Sequence, residues 1–270
     1  MNGRLSALYR GGMALSLILI VLLAAALIGE TGIRADFLSR LQSPSWAHPF
    51  GTDQMGRDLL ARSLHGLALS LWVGLLAASL SVFISTLVAL GAAFGDRADR
   101  VVTFLIDGML SMPHLMLLIL LSFALGGGTS AVILAVAISH WPRLARILRI
   151  ELREVQATAY VQTSRALGKS PWFIARHHIL PHLLPHILVG ALLMFPHAIL
   201  HEAGLTFLGF GLEPSRPAIG VMLSESMRHI SAGRWWLALF PGVMLVLLVL
   251  AFEALGSASR RLFTPREAQC

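Results

Sequence analysis

Imidazole and carboxylate groups set in apolar sequence are the first residues of this chain whose chemistry needs an account. His197 and His201 stand four apart, so both project from one face of a helix, and Glu202 is the next residue. Two imidazoles at that spacing can share a transition-metal ion; they can equally hydrogen-bond across a helix interface. A zinc hydrolase is excluded. His201-Glu202-Ala203-Gly204-Leu205 begins like HExxH, but Leu205 takes the second His position, and the inverted motif would need Glu at Leu200. A second group, His177, His178, His182 and His186, repeats partly with period four. Pro181 and Pro185 interrupt that period, which predicts packing or exposure rather than a common metal-binding face. Met109, Met112 and Met116 read as core filling. Asp107, a carboxylate in an apolar run, needs a partner, and Arg100 or the basic stretch near residue 160 can supply one. Gly168-Lys169-Ser170 ends like a phosphate-binding loop. Thr163 stands where the first Gly of that motif belongs, and Pro171 follows, so nucleotide hydrolysis is expected of a separate chain.

The elements that must position these groups are membrane helices. Of 270 residues, 56% are hydrophobic and 13% charged, against about 25% charged in soluble domains. The net charge of +7 is read as Arg retained on one side of a membrane, not as a nucleic-acid surface. A single Cys, Cys270, excludes a disulfide framework and a Cys-based metal cluster. The fold class is all-α, polytopic, with six transmembrane helices. A basic start (Arg4, Arg10) leads into an apolar run over 13–28, which reads as an uncleaved signal-anchor. The remaining spans fall at 68–94, 101–125, 131–150, 182–205 and 236–255, with a polar stretch from Glu30 to Gly66 and a loop over 206–235. Fourteen of the 21 Lys and Arg residues lie on the N-terminal side of the membrane, Arg260, Arg261 and Arg266 among them. That bias predicts both termini in the cytoplasm.

Two polar stretches punctuate this plan. In the first, 50–62, Gly51 and Gly56 suit a turn into a helix, with Thr52 or Asp53 as its cap. Arg57, Asp58 and Arg62 are at helical spacing and can pair at the membrane surface. The second, 160–181, is a basic interlude read as two short helices joined at Gly168, where φ > 0 stops the first. Ser170 is the expected N-cap and Pro171 the first helical residue of the second helix. That helix is expected to end at Leu180-Pro181. A rigid elbow outside the lipid can carry a push from a soluble partner to the spans on either side.

These motifs carry a resemblance. Phe50-Gly51-Thr52-Asp53, then Gly56-Arg57-Asp58 and Arg62, is similar to the second permease subunit of the dipeptide, oligopeptide and nickel ABC importers, and Gly204–Gly211 resembles that family's LSFLGLG segment. Gly168 followed by Leu180-Pro181 resembles the family's EAA loop, which docks on the ATPase, although Gln162-Thr163-Ser164 replaces Glu-Ala-Ala. The resemblance covers about 49–263 and implies a type I importer permease. It divides the chain into 1–66, a signal-anchor with an external interfacial segment, and 67–263, a transmembrane domain with a cytoplasmic coupling loop at 151–182. Coupling to the ATPase would fall to Gln162, Ser164, Arg165, Ala166, Gly168, Ser170, Leu180 and Pro181. Implied partners are a homologous second permease forming a heterodimer, two ATPase subunits that hold ATP and magnesium, an extracytoplasmic solute-binding protein and the lipid of the inner membrane. The chain itself is expected to bind no cofactor and no nucleic acid. Ser139-His140-Trp141 and the His197/His201 pair are similar to nickel-type members, so nickel or a metal chelate is the expected cargo, carried past His140, His197, His201 and Glu202. Import of di- or oligopeptides by the same machine is the alternative. A stand-alone proton-coupled carrier using Asp107 and Glu202 would need no elbow.

Overall fold

A computed structural model describes residues 3–29 and 34–263. The Arg4 side chain, Glu30, Arg266 and Cys270 lie outside what is described. Helix α1 runs Gly3–Ile28 and α2 Leu59–Gly91, closed by a 3-10 turn at Ala92–Phe94. Then come α3 (Asp96–Ser111), α4 (His114–Ala124) and α5 (Gly128–Gln156). The elbow follows as α6 (Ala159–Ala166) and α7 (Pro171–Ile174), then α8 (Leu180–Phe207), α9 (Ile219–Ile230) and α10 (Trp236–Phe263). Among the described residues five helices are long and apolar enough to cross a membrane, or six if one bent pair counts as a single span.

That bent pair corrects the expected straight third span. Helices α3 and α4 meet at 97°. Pro113 causes the break: its ring disfavours the helical conformation at the residue before it, and Met112 is accordingly extended, with φ −80° and ψ 142°. His114 is therefore the first residue of a new helix rather than the middle of an old one.

A second correction concerns Pro181. The helix does not end there; residues Pro171–Phe207 form one continuous 37-residue run. Ala175–Ile179 widens into a π turn, and the Leu180 amide reaches back to the Ala175 carbonyl. The wider turn absorbs the carbonyl crowding and the missing N–H that Pro181 brings. Pro185 and Pro196 are likewise accommodated inside α8. As a result His182 and His186 keep a common face, and both approach Glu151, at 3.9 and 3.4 Å.

Packing is organised around α2, which is lined by Ser70, Gly74, Ala77, Ala78, Ser81 and Ser85, all buried. Small residues let neighbouring helix backbones approach closely. One apolar cluster joins α1, α2, α8, α9 and α10 through Leu67, Leu71, Ile199, Met222 and Leu248. A second joins α3, α5 and the elbow through Ile106, Leu148, Leu152, Val161, Ile174 and Ile179. The loop expected over 206–235 holds α9, which buries Ile219, Met222 and Ser226.

Candidate functional site

Three regions carry the polar chemistry. The first is the segment leading into α2. Helix α2 starts at Leu59, so Arg57 lies before it and the expected pairing along one helix is replaced. Asp58 is the N-cap, its Oδ1 accepting from the Ala61 amide at 2.9 Å while Oδ2 meets His48 Nδ1 at 2.8 Å. Neither Thr52 nor Asp53 caps. Thr52, fully buried, accepts from the Gln42 amide at 2.9 Å and donates to the Ser39 carbonyl. Asp53, 3% exposed, accepts from the Met55 amide (2.7 Å), the Arg57 amide (3.0 Å), Arg57 Nε (2.7 Å) and Arg62 Nη1 (2.9 Å). Arg62, 1% exposed, also gives Nη1 to Glu225 Oε2 of α9 at 2.6 Å. Gly51 and Gly56 both have positive φ, 76° and 75°. Phe50 stacks on Phe240 of α10 with centroids 4.4 Å apart. The segment is thus pinned to α2, α9 and α10 at one end of the bundle.

The elbow lies at the other end of α2. Its two halves close on each other through Ser164 Oγ and His178 Nε2, 2.9 Å apart. The Ser170 hydroxyl accepts from the Phe173 amide at 3.2 Å, the expected N-cap, and Gly168 sits at φ 75°. Gln162 Nε2 donates to the Gln156 carbonyl at 2.9 Å, tying α6 to the end of α5. Val161, Ile174 and Ile179 point inward, whereas Arg165, Ala166, Leu167 and Trp172 face outward. A cavity of about 590 Å³ opens between the elbow and the far end of α2, lined by Phe94, Arg165, Lys169 and Trp172 among others. Leu180 and Pro181 are both exposed.

The third region is in the middle of the bundle, where His201, one turn from His197 on α8, has ring neighbours on two other helices. His197 is exposed. His201 of α8 instead meets His140 of α5 and His114 of α4, with ring centroids 5.0 and 4.7 Å away, and His114 and His140 are 4.6 Å apart. His114 escaped the sequence reading because its partners are on two other helices and share no local spacing with it; Pro113 just before it was the one available signal. Glu202 does not join the group. It is fully buried on another side of α8, accepting from Ser70 Oγ at 2.6 Å and Thr206 Oγ1 at 3.1 Å. Asp107 pairs with Arg146 of α5 at 2.6 Å, not with Arg100 or the elbow, and both groups are exposed on one face of α3 and α5. In the turn after α8, Glu213 receives the Thr129 hydroxyl at 2.9 Å. Its own backbone N–H, and then Thr129, hold its carboxyl below the usual carboxylate range.

A bundle of membrane helices with a polar elbow, and with no strand among the described residues, is the architecture of a transport subunit. Residues 81–269 match the binding-protein-dependent transport system inner membrane component family, and the chain belongs to it. A putative peptide transport system permease protein of Brucella suis biovar 1 is 37% identical over 262 residues, covering 94% of this chain and 87% of the relative. The dipeptide transport system permease protein DppC of Bacillus subtilis is 32% identical over 260 residues, covering 94% and 81%. Among solved structures, an amino acid ABC transporter with histidines aligns with TM-score 0.57 at 20% identity over 77% of this chain and 94% of that one. The MetNI methionine ABC transporter in an inward-facing conformation aligns with TM-score 0.56 at 22% identity over 78% and 97%. The chain is therefore an ABC importer permease, a non-enzymatic subunit of a class that works with ATPases and a binding protein. Both of these relatives are named for peptides or dipeptides, and neither for the nickel cargo expected from the histidine motifs.

Proposed function

We propose that this chain is one of two related permease subunits that carry di- or oligopeptides across an inner membrane, driven by ATP hydrolysed on two separate ATPase subunits. The names of the relatives, matched along 94% of the chain, carry the peptide assignment. The elbow supports the mechanism. It is internally braced by Ser164–His178 and rooted in the core by Val161, Ile174 and Ile179, so a push on its outer face moves α5 and α8 together. With the elbow in the cytoplasm, as the Arg and Lys bias predicts, both termini lie inside and the 34–58 segment faces a solute-binding protein. The exposed Asp107–Arg146 pair is costly against lipid, which supports a protein-lined or water-filled face shared with a second, different permease. No cofactor is bound by the chain in this scheme, and ATP with magnesium sits on the ATPases.

The test is uptake into proteoliposomes holding this chain, its mate permease and both ATPases, with the binding protein added outside. Labelled dipeptide should accumulate only with ATP inside the assembly's nucleotide sites. Nickel accumulation with no dipeptide uptake would overturn the peptide assignment. Transport at full rate without the ATPases would overturn the mechanism. A nickel or metal-chelate cargo is retained as the second reading on one observation, the meeting of three imidazoles in the middle of the bundle.

A further inference from the structure

We propose that His114, His140 and His201 form a binding site for a divalent transition-metal ion, whichever cargo the importer carries. Each residue can offer one nitrogen, and the three nitrogens all lie within 4.8 Å of one another. Around a tetrahedral ion with bonds of about 2.0–2.1 Å, ligand nitrogens are about 3.3 Å apart. Small side-chain rotations close that gap.

His140 is the best prepared ligand. It is 2% exposed, and its Nδ1 lies 2.8 Å from the Val136 carbonyl. A carbonyl only accepts, so Nδ1 carries the proton and Nε2 keeps its lone pair. This is the orientation that a backbone carbonyl imposes on metal-bound imidazoles. The freed Nε2 is buried with no hydrogen-bond partner, and so is His114 Nε2. A buried polar nitrogen without a partner costs free energy. Two of them in rings whose centroids are 4.6 Å apart point to a shared ligand; a water can donate to two lone pairs at most, whereas a metal ion accepts electron pairs from all three imidazoles at once.

The donor set selects the ion. Three imidazoles without carboxylate or thiolate suit nickel, copper or zinc and disfavour magnesium, calcium and manganese. Arg143 lies exposed one turn beyond His140 on α5. Its charge favours an anionic fourth ligand, such as hydroxide or a carboxylate, on the bound ion. The three ligands come from α4, α5 and α8, and His114 directly follows the Pro113 break. A bound ion therefore ties α4, immediately after the sharp bend, to the helix that leaves the elbow.

The experiment uses the complete transporter in nanodiscs, purified through a histidine-free tag on this chain. Cobalt(II) titration followed by its visible absorption should show one site per copy of this chain. His114→Ala, His140→Ala or His201→Ala should each weaken binding at least tenfold, since losing a ligand costs no less than losing a ligand's supporting partner, about 10–100-fold. His229→Ala, in α9 outside the trio, should leave affinity unchanged. Wild-type protein loaded with copper(II) should show three imidazole nitrogens by electron spin-echo spectroscopy, a readout that does not rely on any variant folding. Nickel(II) should raise the thermal midpoint of the wild type and not of His140→Ala. Unchanged cobalt affinity in a folded His140→Ala, or fewer than three imidazoles on copper, overturns the proposal. Dipeptide uptake is scored separately, so loss of the metal site and failure of the peptide assignment give different results.

Discussion

The segment before α2 and the elbow before α8 are both polar stretches between membrane helices, and they are built on opposite terms. The first turns its charges inward onto one another, although Arg57 Nη2 and Arg62 Nε and Nη2 are buried without a hydrogen-bond partner. Asp53 is 3% exposed and takes four hydrogen bonds, Arg62 is 1% exposed, and Thr52 is fully buried. The elbow buries only Val161, Ile174 and Ile179, and leaves Leu167 and Trp172 more than 70% exposed. A region that consumes its own polar groups is a fixture of the fold. Both regions show large apolar side chains outside, Leu38 and Trp46 being at least 96% exposed in the first, so both offer faces to other proteins and differ in the bonding behind that face. The same lesson separates their glycines. A Cβ at Gly56 would stand 1.6 Å from the Asp36 carbonyl oxygen, whereas a Cβ at Gly168 meets nothing within 4 Å.

The largest effects are expected where the first region is broken. Gly56→Ala forces a backbone clash at a positive φ that neighbours cannot relieve, and should cost more than about 4 kcal/mol, among the severe point changes. No monodisperse protein should be recovered from membranes. Recovery of a folded variant would show that the segment is a loose flap and would erase the contrast with the elbow. Next in size is Arg62→Met, which keeps side-chain bulk and removes the charge. Asp53 then remains buried with one cation fewer and Glu225 loses its 2.6 Å partner, for a cost of about 3–5 kcal/mol. Thermal unfolding in detergent checks it. At the elbow, Gly168→Ala should cost only about 1 kcal/mol, the backbone penalty of a left-handed conformation. Yet ATP-driven dipeptide uptake should fall severalfold at normal expression, because the angle between α6 and α7 changes. Normal uptake by this variant would argue that the turn does not set the lever.

The two regions were not equally legible in the sequence. The elbow's Ser170 cap, its Pro171 start and its Gly168 turn follow from local rules, and all three stand in the structure. Capping and positive φ are decided within four residues, so a single stretch shows them. The spans were legible for a similar reason, since apolar length is additive along the chain. What escaped depends on distant partners or on a proline. Asp53 reads as a cap by local rules, but Arg62 and Glu225 draw it inward and leave the cap to Asp58. Asp107 finds Arg146 across a helix interface. Prolines were the hardest residues to read. Pro113 breaks a span cleanly because no turn compensates. Pro181 breaks nothing because the π turn before it does. Helix α9 was hidden by Pro214 and Pro217 ahead of it, although Ile219, Met222, Ser226 and Ile230 carry helical spacing. The imidazole trio was half legible: His140 and His201 stood out by their surroundings, and His114 needed the fold.

The smallest expected effect gives the finest test of the contrast. Ser170 and Asp58 are both N-caps, one on each region, and losing a cap costs about 0.5–2 kcal/mol. Asp58 also holds His48 at 2.8 Å, while the Ser170 hydroxyl serves only the Phe173 amide in a short, exposed turn. Asp58→Ala should therefore sit at the upper end of that range and Ser170→Ala at the lower, a difference visible as a shift of a few degrees in thermal midpoint. Ser170→Ala keeps Gly168, the Ser164–His178 bond and the three buried anchors, so the elbow's angle persists and uptake should stay near that of the wild type. A fall in uptake as deep as that of Gly168→Ala would mean that the cap and the turn act as one unit. The elbow would then be held together by the same dense local bonding as the segment at the opposite end of α2, and the difference between the two regions would lie only in what they face.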